Sequence, residues 1–105
     1  MKHILVENPC TMVRISNPGE VFVGHGYIYY DDGFRVYVRI SACFGSGSYR
    51  IRVKLPKHKA LHIRYDYVPR YSFENEFLMF YVELCSIDKL ACKLQTLFDY
   101  IWFTD

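Results

Sequence analysis

Cysteine is scarce in this chain and poorly spaced for chemistry. Cys10, Cys43, Cys85 and Cys92 lie 33, 42 and 7 residues apart, and none forms a Cys-x-x-Cys pair. That spacing excludes a zinc ribbon or a thioredoxin-type site and leaves reduced, structural thiols as the expectation. Long apolar runs are missing too. The longest, residues 77–82, is six residues, against the roughly 20 that span a bilayer. Near the start only Ile4-Leu5-Val6 separates His3 from Glu7, too short for the apolar centre of a signal peptide. A cytoplasmic protein with no membrane partner is therefore expected.

Catalytic signatures are absent as well. The chain has no nucleophile motif, no phosphate-cradling glycine loop and no convincing carboxylate pair. Glu74 and Glu76 read as a solvated loop. His62 near Arg52 or Arg64 could serve a metal-independent nuclease as base and charge stabiliser, but a solvated strand histidine accounts for it without chemistry. The expectation is a non-enzyme without cofactor or metal.

Aromatic and apolar residues are plentiful. The 105 residues are 51% apolar and 18% aromatic, with ten tyrosines and eight phenylalanines. Rings on this scale suit half-buried sheet pleats, and tyrosine also suits recognition surfaces. The length fits one domain able to bury a core. No repeat, linker or low-complexity tract divides it.

Charge is unevenly placed. Residues 34–70 carry nine Lys or Arg against the single acid Asp66, a net +8, while the remainder carries −6. Such a dipolar distribution steers an anionic partner to one side.

The pattern is mostly period two, the mark of strands with one buried and one solvated face. Short strands are expected at residues 3–7 and 10–16, followed by an Asn17-Pro18-Gly19 turn. A third strand, 20–30, contains Gly24-His25-Gly26, which predicts a bulge or bend. At Asp31-Asp32-Gly33, a three-residue loop with Gly33 left-handed pairs Tyr30 with Phe34, Ile28 with Val36 and Tyr27 with Tyr37. That parity puts Ile28, Tyr30, Phe34, Val36, Val38 and Ile40 on one face and His25, Tyr27, Tyr29, Arg35, Tyr37 and Arg39 on the other.

Residues 49–67 read as a second hairpin turning at Pro56-Lys57-His58-Lys59. Its apolar side is Tyr49, Ile51, Val53, Leu55, Leu61, Ile63, Tyr65 and Tyr67. Its basic side sets Lys54 opposite His62, Arg52 opposite Arg64 and Arg50 opposite Asp66. Residues 73–76 read as a loop and 77–84 as the most apolar, central strand. The three- and four-residue steps of Ile87, Leu90, Ala91, Leu94, Leu97, Phe98 and Ile101 predict one helix over about residues 86–101, with Ser86 as N-cap. The fold expected is mainly β with one C-terminal α-helix: a strongly bent antiparallel sheet or small open barrel of six or seven strands, capped by that helix. The absence of earlier helices argues against a ferredoxin-like RNA-binding fold, and residues 33–38 lack the second glycine of an RNP1 strand.

The candidate interface is the basic, tyrosine-rich sheet face. Arg35, Arg39, Arg50, Arg52, Lys54, Lys57, Lys59 and Arg64 are positioned to neutralise phosphates, and Tyr27 and Tyr37 to stack on bases. The function expected is a small binding module for a polyanion, a nucleic acid or a phosphate-rich ligand. The alternative is an accessory protein of viral or phage type that binds and inhibits a host protein, such as a nucleic-acid-handling or defence complex. An acidic or nucleic-acid-binding protein is then the partner. Open sheets have edges, so a homodimer through a sheet edge is a further expectation.

Overall fold

The computed structural model describes residues 3–6, 14–17, 20–68 and 70–105. Among the described residues, nine strands and one α-helix follow in the order β1 (His3–Val6), β2 (Arg14–Asn17), β3 (Glu20–Tyr29), β4 (Arg35–Cys43), β5 (Ser48–Lys54), β6 (Ala60–Ile63), β7 (Ser72–Glu74), β8 (Phe77–Glu83), α1 (Ile87–Leu97) and β9 (Ile101–Thr104). Seven strands make one antiparallel sheet in the order β1-β3-β4-β5-β8-β7, with β2 also pairing to β3. β6 and β9 make a separate two-stranded sheet. The fold is mainly β with a single C-terminal helix, and the sheet does not close into a barrel.

The first hairpin forms in the expected register. Ile28 faces Val36 and Tyr27 faces Tyr37, Tyr30 N–H donates to the Phe34 carbonyl, and Gly33 takes a φ of 83°. That left-handed angle is one a side chain disfavours. A register shift between Phe22 and Gly24 is the bulge announced by Gly24-His25-Gly26. The proposed Asn17-Pro18-Gly19 turn and the start of the second strand fall partly outside the described residues.

One side of the main sheet faces the core. Ile28, Val36, Val38, Ile40, Ala42, Ile51, Val53, Leu78 and Phe80 are buried there against Leu90, Leu94, Phe98 and Ile101. α1 supplies Leu90 and Leu94 from a single stripe, and its start is capped by Ser86, whose Oγ accepts from Lys89 N–H.

The second expected hairpin does not form. β5 lies between β4 and β8, so Arg52 faces Arg39 and Met79 rather than Arg64, and Arg50 faces Ser41 and Tyr81 rather than Asp66. Lys54 faces Phe77 rather than His62. Residues 60–63 leave the sheet and pair with β9, where His62 faces Trp102. The physical reason lies in β8: Leu78, Phe80 and Val82 need a strand with a matching apolar row, and Tyr49, Ile51 and Val53 supply it in register.

Two boundaries also differ from expectation. Residues 73–76 are a hairpin rather than a loop, because Ser72–Glu74 pairs with Phe77–Met79 around Asn75 at a φ of 55°. The helix ends at Leu97 and passes through a 3-10 turn, Phe98–Tyr100, into β9. Ile101, Trp102, Phe103 and Thr104 are all strand-favouring types, and pairing with β6 outweighs one more helical turn.

Candidate polyanion interface

Strand parity decides what shares the face away from the core. On β4, Arg35, Tyr37, Arg39 and Ser41 alternate with buried Val36, Val38 and Ile40. Across one edge they meet Tyr29, Tyr27, His25 and Phe22 of β3. Across the other, Arg39 meets Arg52 and Ser41 meets Arg50 of β5, with Lys54 next along the same face. The structure thus gathers Tyr27, Arg35, Tyr37, Arg39, Arg50, Arg52 and Lys54 on one surface.

Its rings form a continuous row. Centroids of Phe22 and His25 lie 6.2 Å apart, His25 and Tyr37 5.6 Å, Tyr37 and Tyr27 5.7 Å, and Tyr27 and Tyr29 6.3 Å. Guanidinium groups sit over this row: Arg35 lies 4.4 Å from the Tyr27 ring and Arg39 5.1 Å from the Phe22 ring. Such cation–π contacts brace the guanidinium groups against the rings. Beside the row, a groove of 260 Å³ is lined by Tyr27, Arg35, Val36, Tyr37, Lys54, Leu55, Pro56 and Lys57. Lys54 and Lys57 are exposed, so the groove joins two rings to three cations.

Lys59 and Arg64 lie elsewhere. Lys59 pairs with Asp105 at 2.9 Å and sits 4.4 Å over the Phe34 ring. Arg64 follows β6, with its N–H on the Tyr100 carbonyl and its guanidinium 5.5 Å from the Tyr67 ring. Only the expected 49–67 hairpin, which does not form, would bring both to this face.

Glu20 is the residue that alternation failed to place. Its carboxylate accepts from Arg50 Nη1 at 3.0 Å and from Arg52 Nη1 at 2.9 Å, and it is buried. The bulge is the physical reason. One extra residue between Phe22 and Gly24 inverts parity, so the even-numbered Glu20 and Phe22 share a face with the odd-numbered His25 and Tyr27. Partial burial alone lowers the Arg50 pKa, but the hydrogen bond to Tyr81 and the charge of Glu20 raise it overall. Arg50 and Arg52 are thus partly satisfied from within.

The same surface holds unmet hydrogen-bonding capacity. His25 Nδ1, Arg39 Nε and Ser41 Oγ are buried without a hydrogen-bond partner. Each such group costs about 1–3 kcal/mol. Among the described residues no group of His, Cys, Asp or Glu could hold a metal ion, and no helix is long and apolar enough to cross a membrane.

A second groove, of 350 Å³ and largely apolar, opens on the core side between α1 and β8, lined by Val68, Phe80, Tyr81, Val82, Lys93, Thr96 and Leu97. It adjoins the part of β8 beyond Met79, which β7 does not cover.

In comparison with known proteins, the chain matches no family model, no curated protein and no solved structure at a significant level.

Proposed function

We propose that the protein is a non-enzymatic binding module whose outer sheet face takes a nucleic acid, with a single strand fitting it best. The observation carrying this reading is the groove in which Tyr27 and Tyr37 stand beside Arg35, Lys54 and Lys57. Cations track a phosphate backbone, and half-buried surface rings such as Tyr27 and Tyr37 stack on unpaired bases, the combination that single-strand binders use. A duplex hides its bases from such rings. Arg50 and Arg52 contribute less than their number suggests, because Glu20 occupies them.

Fluorescence titration with labelled oligothymidylate at several salt concentrations tests this. Lys54→Glu combined with Lys57→Glu is expected to weaken binding at least tenfold and to flatten the salt slope by about 1.4, the share of two phosphate contacts on a single strand. Absence of binding at low salt, or binding untouched by the double variant, contradicts the reading. Tight binding to an acidic protein but to no oligonucleotide identifies a protein as the anion.

The apolar groove beside β8 favours a second reading, an accessory protein that binds and inhibits a host protein. It predicts a stoichiometric partner that survives nuclease treatment of a lysate and is lost on Lys93→Glu. The uncovered end of β8 is also where a second copy of the chain would extend the sheet. Sedimentation as a monomer throughout the micromolar range removes that homodimer.

A further inference from the structure

We propose that Arg39, Ser41 and His25 form a site for one tetrahedral oxyanion on the outer face, anchoring a single phosphate of the bound strand. The proposal rests on the reading of this face as the polyanion surface and adds a defined contact to it. His25 and Arg39 are direct cross-strand partners, and Ser41 stands two residues along from Arg39 on the same face, about 7 Å away by strand geometry.

Three observations converge here. Ser41 is 1% exposed, and its Oγ, Arg39 Nε and His25 Nδ1 are all buried without a partner. An arginine Nε–H can only donate, a serine hydroxyl can donate, and His25 Nδ1 donates in one of its tautomers. A site made of donors calls for an acceptor with several oxygens, and the neighbouring guanidinium repels a cation. Arg39 also keeps its charge available. It is braced against the Phe22 ring at 5.1 Å and makes no ion pair among the described residues. Across the strand pair Arg52 is held by Glu20, which relieves the like-charge opposition of Arg39 and Arg52 without satisfying Arg39. Arg39 as a whole is only half-buried, while its Nε is buried. Tyr37 joins this site to the groove, its ring 5.6 Å from His25 and 5.7 Å from Tyr27. A strand whose base stacks at Tyr37 thus has a phosphate acceptor on one side and the lysines on the other.

The test titrates the full chain with inorganic phosphate at constant ionic strength, with acetate and chloride as controls, reading the arginine Nε–Hε resonances and the melting temperature. A saturable shift of the Arg39 resonance with phosphate, absent with chloride, is expected. Arg39→Gln should weaken phosphate about tenfold, the usual loss for a charge-assisted hydrogen bond. Ser41→Ala separates a binding role from a structural one. It should leave the melting temperature in chloride unchanged or higher, since it removes an unmet hydroxyl, yet lose stabilisation by phosphate. No saturable shift means that water alone fills the site and overturns the proposal. Equal stabilisation by acetate, or a Ser41→Ala variant equally weakened in every salt, also overturns it. The Lys54→Glu/Lys57→Glu variant should lose oligothymidylate but keep inorganic phosphate. Phosphate binding in a wild-type protein that ignores oligothymidylate supports the site and identifies free phosphate as its ligand. Oligothymidylate binding indifferent to Arg39→Gln overturns the site and leaves the wider face standing.

Discussion

Glu20 shows how a single side chain sets the character of the outer face. A carboxylate buried between two guanidinium groups stabilises the fold, and on the proposed reading of this face it competes with the external anion. Glu20→Gln should separate these effects. Loss of the charge leaves Arg50 and Arg52 partly buried without their counterion, costing about 2 kcal/mol in a urea melt, while oligothymidylate affinity is expected to rise because two cations are released. A parallel loss of affinity would show that the carboxylate organises the surface instead of masking it. Tyr30 gives a pH signature. Burial raises its pKa well above the usual tyrosine value of 10.0, and its hydroxyl donates to the Ile101 carbonyl at 3.0 Å. A group with a raised folded pKa stabilises fully below its unfolded pKa and loses that contribution as pH climbs through the folded value. Stability should therefore fall above about pH 10, and the decline should be shallower in Tyr30→Phe.

Among the elements, α1 holds the core face closed. Leu94 is fully buried beneath it, and Leu94→Ala should cost about 2–5 kcal/mol by chemical denaturation, the range for a leucine cavity. The long 3.4 Å bond from Lys89 N–H to Ser86 Oγ puts Ser86→Ala at the low end for an N-cap, about 0.5 kcal/mol. The elements also mark what was legible in the sequence. The β3–β4 hairpin was readable to the register, because Asp31-Asp32-Gly33 fixes the loop and only one parity keeps Ile28 beside Val36. Residues 49–63 showed their faces but not their partners. Alternation states which side of a strand is buried and is silent on which strand lies beside it; β4, just before β5, takes one edge, and the distant β8 takes the edge expected for residues 60–63. Pro56-Lys57-His58-Lys59 looked like a hairpin turn, yet Leu55 N–H bonds to the Glu76 carbonyl and the chain crosses to a second sheet. The helix was legible in its start and in buried Leu90 and Leu94, while Ile87, placed in the same stripe, is exposed. Its end was not, because Ile101 satisfies the helical spacing while belonging to a strand.

At the scale of the whole molecule, the sheet separates two jobs. One face carries the core with α1, and the other carries rings and cations. The basic window at residues 34–70 was legible in composition, but its physical form differs from the one alternation suggested. Lys59 and Arg64 are drawn into contacts around the β6–β9 sheet, and Glu20 is brought in by the bulge. The result is a smaller cationic track, running from Lys54 and Lys57 past Tyr37 to Arg39. Exposed rings elsewhere, among them Phe44, Tyr65 and Phe73, keep a protein partner in contention on other surfaces. The most direct measurement is a map of amide shifts in isotope-labelled protein titrated with oligothymidylate at low salt. Perturbations centred on Tyr27, Arg35, Tyr37, Arg39 and Lys54, with α1 and β9 silent, are predicted. Perturbations centred on Val82, Lys93 and Leu97, or none at all, would contradict the account.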